Sequence, residues 1–167
     1  MCDNYRPISL LQIGYKIFSI IILQRLRDGG AQKRIWPTQF GFRQKYGTTD
    51  ALFVARRVMD EIWATKEGKG VFVPLDWAKA FDSISPEALV RALKRFGCPD
   101  KLVNVISSIY ENRTFVVRDN GNSSNPKTQH YGICQGCPLS PFLFIIVMTG
   151  SLHDAKEDFE NMYGIAD

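Results

Sequence analysis

Apolar residues recur every three to four positions over residues 7–26, at Ile8, Leu11, Tyr15, Phe18, Ile22 and Leu26, and Gly29-Gly30 follow. That spacing predicts an amphipathic helix ended by the glycines. A second helix is predicted over 49–64, where Leu52, Ala55, Val58, Met59 and Ile62 fall on one stripe and Arg56 and Arg57 face elsewhere. Residues 37–49 between them, with Gly41 and Gly47, read as an extended loop. A Lys-Glu-Gly-Lys-Gly turn at 66–70 leads into Val71-Phe72-Val73-Pro74-Leu75, a β-prone run, although Pro74 cannot donate to a ladder. Ser85-Pro86-Glu87 supplies a capping hydroxyl, a proline at the first helical position and an early acid. The helix it opens buries Leu89, Val90, Leu93 and Phe96 and can end at Gly97. After Pro99, the spacing of Leu102, Val103, Ile106 and Ile109 predicts another helix. Residues 114–118 are strand-like, Asp119-Asn120-Gly121-Asn122 is turn chemistry, and 128–131 is expected to return as the second arm of a hairpin. Residues 132–141 form a loop feeding a final helix over 142–160.

At 167 residues and 45% hydrophobic content the chain can bury one real core, so a single compact unit is expected. No stretch approaches the roughly 20 apolar residues of a spanning helix, and the first residues lack a secretory signal's apolar centre. An intracellular protein without a membrane partner is expected, with Cys2, Cys98, Cys134 and Cys137 as thiols. The net charge of +4 hides a division: residues 1–70 hold twelve Lys/Arg against six acids, net +6, and the remainder is −2. A basic first half suits a phosphate-binding surface, since neutralised phosphates release counterions; a solvated helix surface explains it as well.

Candidate chemistry centres on LDWAKAFDS at residues 75–83, where Asp76 directly follows the apolar run and Asp82 comes six positions on. Magnesium takes one or two protein carboxylates together with substrate phosphates, so a carboxylate at the end of a strand suits phosphoryl transfer. An aspartate there serves equally as a helix cap or turn former. Its company changes the balance: NYRPISLL at 4–11, QFGFRQKYGTTDAL at 39–52, VFVPLDWAKAFDS at 71–83 and GICQGCPLSPFLF at 132–144.

In that order and at those separations, the four blocks resemble the reverse transcriptase domain of non-long-terminal-repeat retrotransposons, with group II intron-type enzymes as a related alternative. The resemblance spans nearly the whole chain. It implies an α+β right-hand polymerase, with fingers (residues 1–70) and a partial palm (residues 71–167) built on an antiparallel sheet flanked by helices. Such an enzyme extends a DNA primer on an RNA template from deoxynucleoside triphosphates with two magnesium ions. Carried over residue by residue, the resemblance makes Asp76 the catalytic ligand of both metals and the Trp77 carbonyl a ligand of one. It sets the backbone of Lys79 and Ala80 under the triphosphate, and makes Phe81 the ring filling the space of a ribose 2′-hydroxyl. Asp82 is left to local structure. Arg43 resembles the fingers residue that reaches incoming phosphates, a task suited to a planar charged fork, with a surface arginine as the plain alternative. Gln135 would contact nucleotide or template, and Gly136 would let backbone approach closely. Pro138 and Pro141 would set the turn and open the following helix.

The chain departs from the family in places. The resemblance calls for an aromatic-Ala-Asp-Asp motif to complete the metal site, which these 167 residues do not carry; the run-up to Ala166-Asp167 is not a β-run, and the thumb is expected to be missing. Cys134 stands where the family commonly has a basic residue, and Pro74 interrupts the run before Asp76. The expectation is a fragment that synthesises no DNA by itself. The alternative is a non-catalytic nucleic-acid-binding remnant of a retroelement, acting through the basic first half. Separately, Trp36, Phe40, Phe42 and Tyr46, set among Lys33, Arg34, Arg43 and Lys45, could stack on single-stranded template, and core packing and surface solvation explain them as well. Cys134-x-x-Cys137 has the spacing of a zinc or redox pair, but no second pair accompanies it.

Overall fold

The computed structural model describes residues 8–164. Pro7 and the rest of residues 4–7 in the first block, Cys2, and Ala166-Asp167 lie outside the described residues. Helix α1 (Ile13–Asp28) starts six residues later than the apolar pattern suggests, because the preceding backbone is otherwise engaged: the Ser9 N–H donates to the Gln135 carbonyl at 2.8 Å. Ile8 is therefore exposed, and the buried face of α1 is Ser19, Ile22, Leu23 and Leu26. A 3-10 turn at Ala31–Arg34 follows Gly30, which stands at φ +79°.

Helix α2 (Thr48–Ala64) forms where periodicity places it, with Asp50 accepting from the Gly47 N–H at 2.7 Å. Its expected buried stripe is corrected by the structure, since α2 buries no residue and Leu52 is 68% exposed. What covers α2 is local: the turn at 66–70 folds back over its end, and a Cβ at Gly70 would lie 2.5 Å from Ile62 Cδ1.

The strand expected at 71–75 does not form. No strand among the described residues pairs with it, Pro74 lacks a donor, and Val71 and Leu75 stand 91% and 81% exposed. Helix α3 (Pro86–Arg95) follows the sequence closely: Ser85 Oγ accepts from the Ala88 N–H at 3.0 Å, Pro86 occupies the first turn, and Gly97 at φ +79° ends the helix. Arg34 reinforces that end by donating to the carbonyls of Phe96 (2.7 Å) and Gly97 (3.2 Å), a cation placed at the negative pole of a helix. Helix α4 (Asp100–Tyr110) buries Val103, Ile106 and Tyr110.

The hairpin is real but shorter than expected. β1 (Thr114–Phe115) pairs antiparallel with β4 (Lys127–Thr128), and β2 (Arg118–Asp119) with β3 (Asn122–Ser123). Asn120 and Gly121 at φ +46° and +82° make the tight connection that suits a two-residue hairpin. Ser124, Asn125 and Pro126 interrupt the return arm, so pairing resumes at Lys127 and ends at Thr128 instead of running to 131. Helix α5 (Ser140–Tyr163) completes the fold. The architecture is thus helical with two small antiparallel ladders, and an extended sheet flanked by helices is not seen among the described residues. The core lies where α3, α4 and the first half of α5 meet the inner face of α1, with Leu93, Ile106, Leu139, Leu143, Ile145 and Ile146 fully buried.

Candidate functional site

Asp76 leaves the exposed 71–75 segment and begins a series of turns. Its Oδ1 accepts from the Trp77 N–H at 2.9 Å, the short-range contact that aspartate favours at a turn. Lys79, at φ +51°, turns the chain so that its carbonyl accepts from the N–H groups of Asp82 (2.9 Å) and Ser83 (3.0 Å). Asp76, Trp77 and Lys79 are exposed, and Ala80 and Phe81 are half-buried. Phe81 stacks on Phe144 of α5, ring centroids 4.9 Å apart and 11° from parallel, and Phe42 meets both rings edge-on at 5.9 and 6.4 Å. Three of the four blocks contribute to this aromatic group.

The fourth block is laced to the third by backbone: the Gly132 N–H donates to the Ile84 carbonyl at 2.7 Å and the Ile133 N–H to the Phe81 carbonyl at 2.8 Å. Gly132 is at φ +93°, and a Cβ there would come within 2.9 Å of Asp82 Cα, so the close crossing requires glycine. Arg113 Nη2 ties the outer side by donating to the Gly132 carbonyl at 3.0 Å. Gln135 then reaches back, its Nε2 donating to both oxygens of Asp82 at 3.2 Å. Gly136, at φ +110°, lies against the first block, where a Cβ would sit 2.6 Å from the Ser9 carbonyl oxygen. Phe81, Asp82, Gln135 and Gly136 therefore form one connected junction, and Asp76 lies on the exposed run that leads into it.

Asp82, which the sequence leaves to local structure, is the group that fastens Gln135. Its nearness to a pair of blocks that share no local pattern gives no sign in the sequence. Arg43 sits differently. Its Nη1 donates to the carbonyls of Gln39 (3.0 Å), Pro37 (3.4 Å) and Trp36 (3.5 Å), and its guanidinium lies 4.2 Å from the Tyr46 ring centroid. It thus organises its own loop, and among the described residues no hydrogen bond joins it to the third or fourth block. Trp36 anchors that loop to α5, its N–H donating to Thr149 Oγ1 at 3.2 Å and its ring meeting His153 edge-on at 4.7 Å.

Cys134 and Cys137 are buried beneath the junction. Cys137 Sγ donates to Ser19 Oγ at 3.4 Å, and Ser19 Oγ in turn donates to the Tyr15 carbonyl at 2.9 Å. Both cysteines are packing positions between α1 and the start of α5. Burial, with Cys137 next to it, pushes the Tyr15 phenol well above its ordinary range. Tyr110 is pushed up to about 12 by burial, against a smaller opposing effect of its hydrogen bond with Ser140.

As oxygen donors, the Asp76 carboxylate and the Trp77 carbonyl suit a hard cation that keeps waters and takes its remaining ligands from a triphosphate. No group of three or more His, Cys, Asp or Glu side chains that could hold a metal by themselves occurs among the described residues.

A family model described as reverse transcriptase (RNA-dependent DNA polymerase) matches residues 2–165. The chain is 32% identical, over 99% of its length, to a probable RNA-directed DNA polymerase from transposon BS of Drosophila melanogaster, of which it covers 17%. It is 37% identical over 86% of its length to the RNA-directed DNA polymerase from mobile element jockey of the same species, covering 16% of that protein. To the Pol polyprotein of a type-1 retrotransposable element R2 from Popillia japonica it is 32% identical over 87% of its length, covering 20%. This chain belongs to the reverse transcriptase family, and it spans about a sixth to a fifth of the length of these relatives. Among the described residues no helix is long and apolar enough to cross a membrane.

Proposed function

We propose that this chain is the nucleotide-selecting part of an RNA-directed DNA polymerase that extends a DNA primer on an RNA template, with residues 1–70 in the fingers and 71–167 in the palm. The observation that carries this reading is the junction itself, in which Phe81 and Asp82 of the block that holds Asp76 meet Gln135 and Gly136 of a distant one. Asp76 and the Trp77 carbonyl would hold magnesium, which supplies charge stabilisation to an in-line phosphoryl displacement when bound. The chain's own residues do the rest. Lys79 and Ala80 offer backbone N–H groups to phosphate oxygens, and Phe81, fixed by Phe144, excludes a 2′-hydroxyl by occupying its volume. Gln135 hydrogen-bonds the nucleotide, while Gly136 keeps the loop close to the first block. Arg43, anchored through Nη1 and with Nε buried, would have Nη2 to offer a phosphate.

A single carboxylate cannot set the positions of two cations, and position governs much of such a rate. The 167 residues by themselves are accordingly expected to synthesise no DNA. The test is a titration of the chain with a deoxynucleoside triphosphate, with and without magnesium, against Asp76→Ala. Magnesium-dependent binding lost in the variant supports the proposal, and equal binding by both overturns it. A non-catalytic reading rests on the basic first half, where Arg56 lies 5.6 Å from the exposed Trp63 ring; it predicts RNA affinity without nucleotide binding.

A further inference from the structure

Asp82 and Gln135 are 53 residues apart in sequence and both half-buried, yet the carboxamide nitrogen of one lies at 3.2 Å from each carboxylate oxygen of the other. A carboxylate accepts hydrogen bonds and cannot donate them, so the carboxamide must turn its nitrogen toward Asp82 and its oxygen away. The backbone around the pair keeps this choice in place. Ile133 N–H to Phe81 carbonyl and Gly132 N–H to Ile84 carbonyl fix the two loops on one side, the Asp82 N–H is bound to the Lys79 carbonyl, and the Gln135 carbonyl accepts from Ser9. Gly132 keeps the loops so close that a Cβ added there would lie 2.9 Å from Asp82 Cα, which leaves the pair little room to slide.

We infer that Asp82 is a positioning residue: it holds the Gln135 carboxamide so that the oxygen is the group offered to an incoming nucleotide. Gln135 then acts as an acceptor, suited to a hydroxyl or amino hydrogen of a deoxynucleoside triphosphate, where an unfastened glutamine would offer donor and acceptor alike. This rests on the polymerase reading above. The substitution Asp82→Asn keeps the shape but supplies both a donor and an acceptor, so the carboxamide loses its reason to face one way. The double exchange Asp82→Asn with Gln135→Glu restores the bond with its direction reversed, and it again leaves an acceptor oxygen outward.

The experiment follows the Gln135 side-chain amide pair by nitrogen-15 NMR in the whole chain, assigned by its loss in Gln135→Glu, together with titration by magnesium deoxyadenosine triphosphate. Asp82→Asn is expected to shift and broaden the Gln135 pair and to weaken triphosphate binding by about tenfold, in proportion to a lost charge-assisted hydrogen bond. The double exchange is expected to recover most of that affinity relative to Gln135→Glu. Unchanged Gln135 signals in Asp82→Asn overturn the inference. So does a lowered unfolding temperature in Asp82→Asn with no recovery of binding in the double exchange, because Asp82 would then serve the fold alone. If the wild-type chain does not respond to triphosphate while the Gln135 pair still depends on Asp82, the polymerase reading fails and the pairing stands.

Discussion

Gly136 shows how one atom can be excluded from a site. At φ +110° an L side chain is strained, and its Cβ would meet the Ser9 carbonyl oxygen, so Gly136→Ala is expected to cost about 1–3 kcal/mol in denaturant unfolding. Phe81 is a different kind of constraint, a ring immobilised by stacking on Phe144 and edge contact with Phe42. On the proposed reading, in which its volume rejects the 2′-hydroxyl, trimming it to valine in a longer, active form of the protein is expected to raise ribonucleotide use relative to deoxynucleotide by roughly tenfold or more, measured as the ratio of kcat/KM values. Tyr110 ties stability to pH. Its folded pKa of about 12 lies above the ordinary 10, so its contribution is fully present below pH 10 and is lost as pH rises through 12. Wild type should lose stability between those values faster than Tyr110→Phe, which unfolding curves at several alkaline pH values will read.

The helices were readable because their evidence is local. Ser85, Pro86 and Gly97 mark the ends of α3 by chemistry confined to a few residues, and removing the cap with Ser85→Ala is expected to cost about 1 kcal/mol of unfolding free energy. Leu93→Ala, at a fully buried position of the same helix, is expected to cost about 2–5 kcal/mol. The strand at 71–75 was not readable, since a strand exists only with a partner and no pattern within five residues tells whether one is present. Periodicity also foretold α2 without foretelling that its stripe would stay uncovered, because a stripe states what a helix can bury and says nothing of its neighbour. At the site, the four blocks were visible as strings. The fastening of Gln135 by Asp82 was not, since side-chain partners 53 positions apart leave no local mark, and Asp82 read as a turn former. Arg43 likewise read as a phosphate ligand, and its bonds to the carbonyls at 36, 37 and 39 emerge only from the path of its loop.

The chain's basic first half gives α1 to the shared core and leaves α2 without a buried residue. That charge division predicts RNA affinity falling by an order of magnitude or more between roughly 50 and 200 mM salt, with Arg57→Ser weakening binding at low salt and flattening the slope. A gel-shift titration at several salt concentrations checks both. The junction stands where the two halves meet, so its geometry depends on α5 for Phe144, on the loop before α2 for Phe42 and on the start of the described chain for Ser9. The bare segment ahead of Asp76 has a practical result of its own. Val71, Phe72 and Val73 expose apolar side chains on a backbone that no strand among the described residues covers, a template on which a second molecule can lay down a ladder, with Pro74 as a built-in stop. Concentrated solutions should accumulate thioflavin-positive aggregates, and a lysine in place of Val73 should keep them clear.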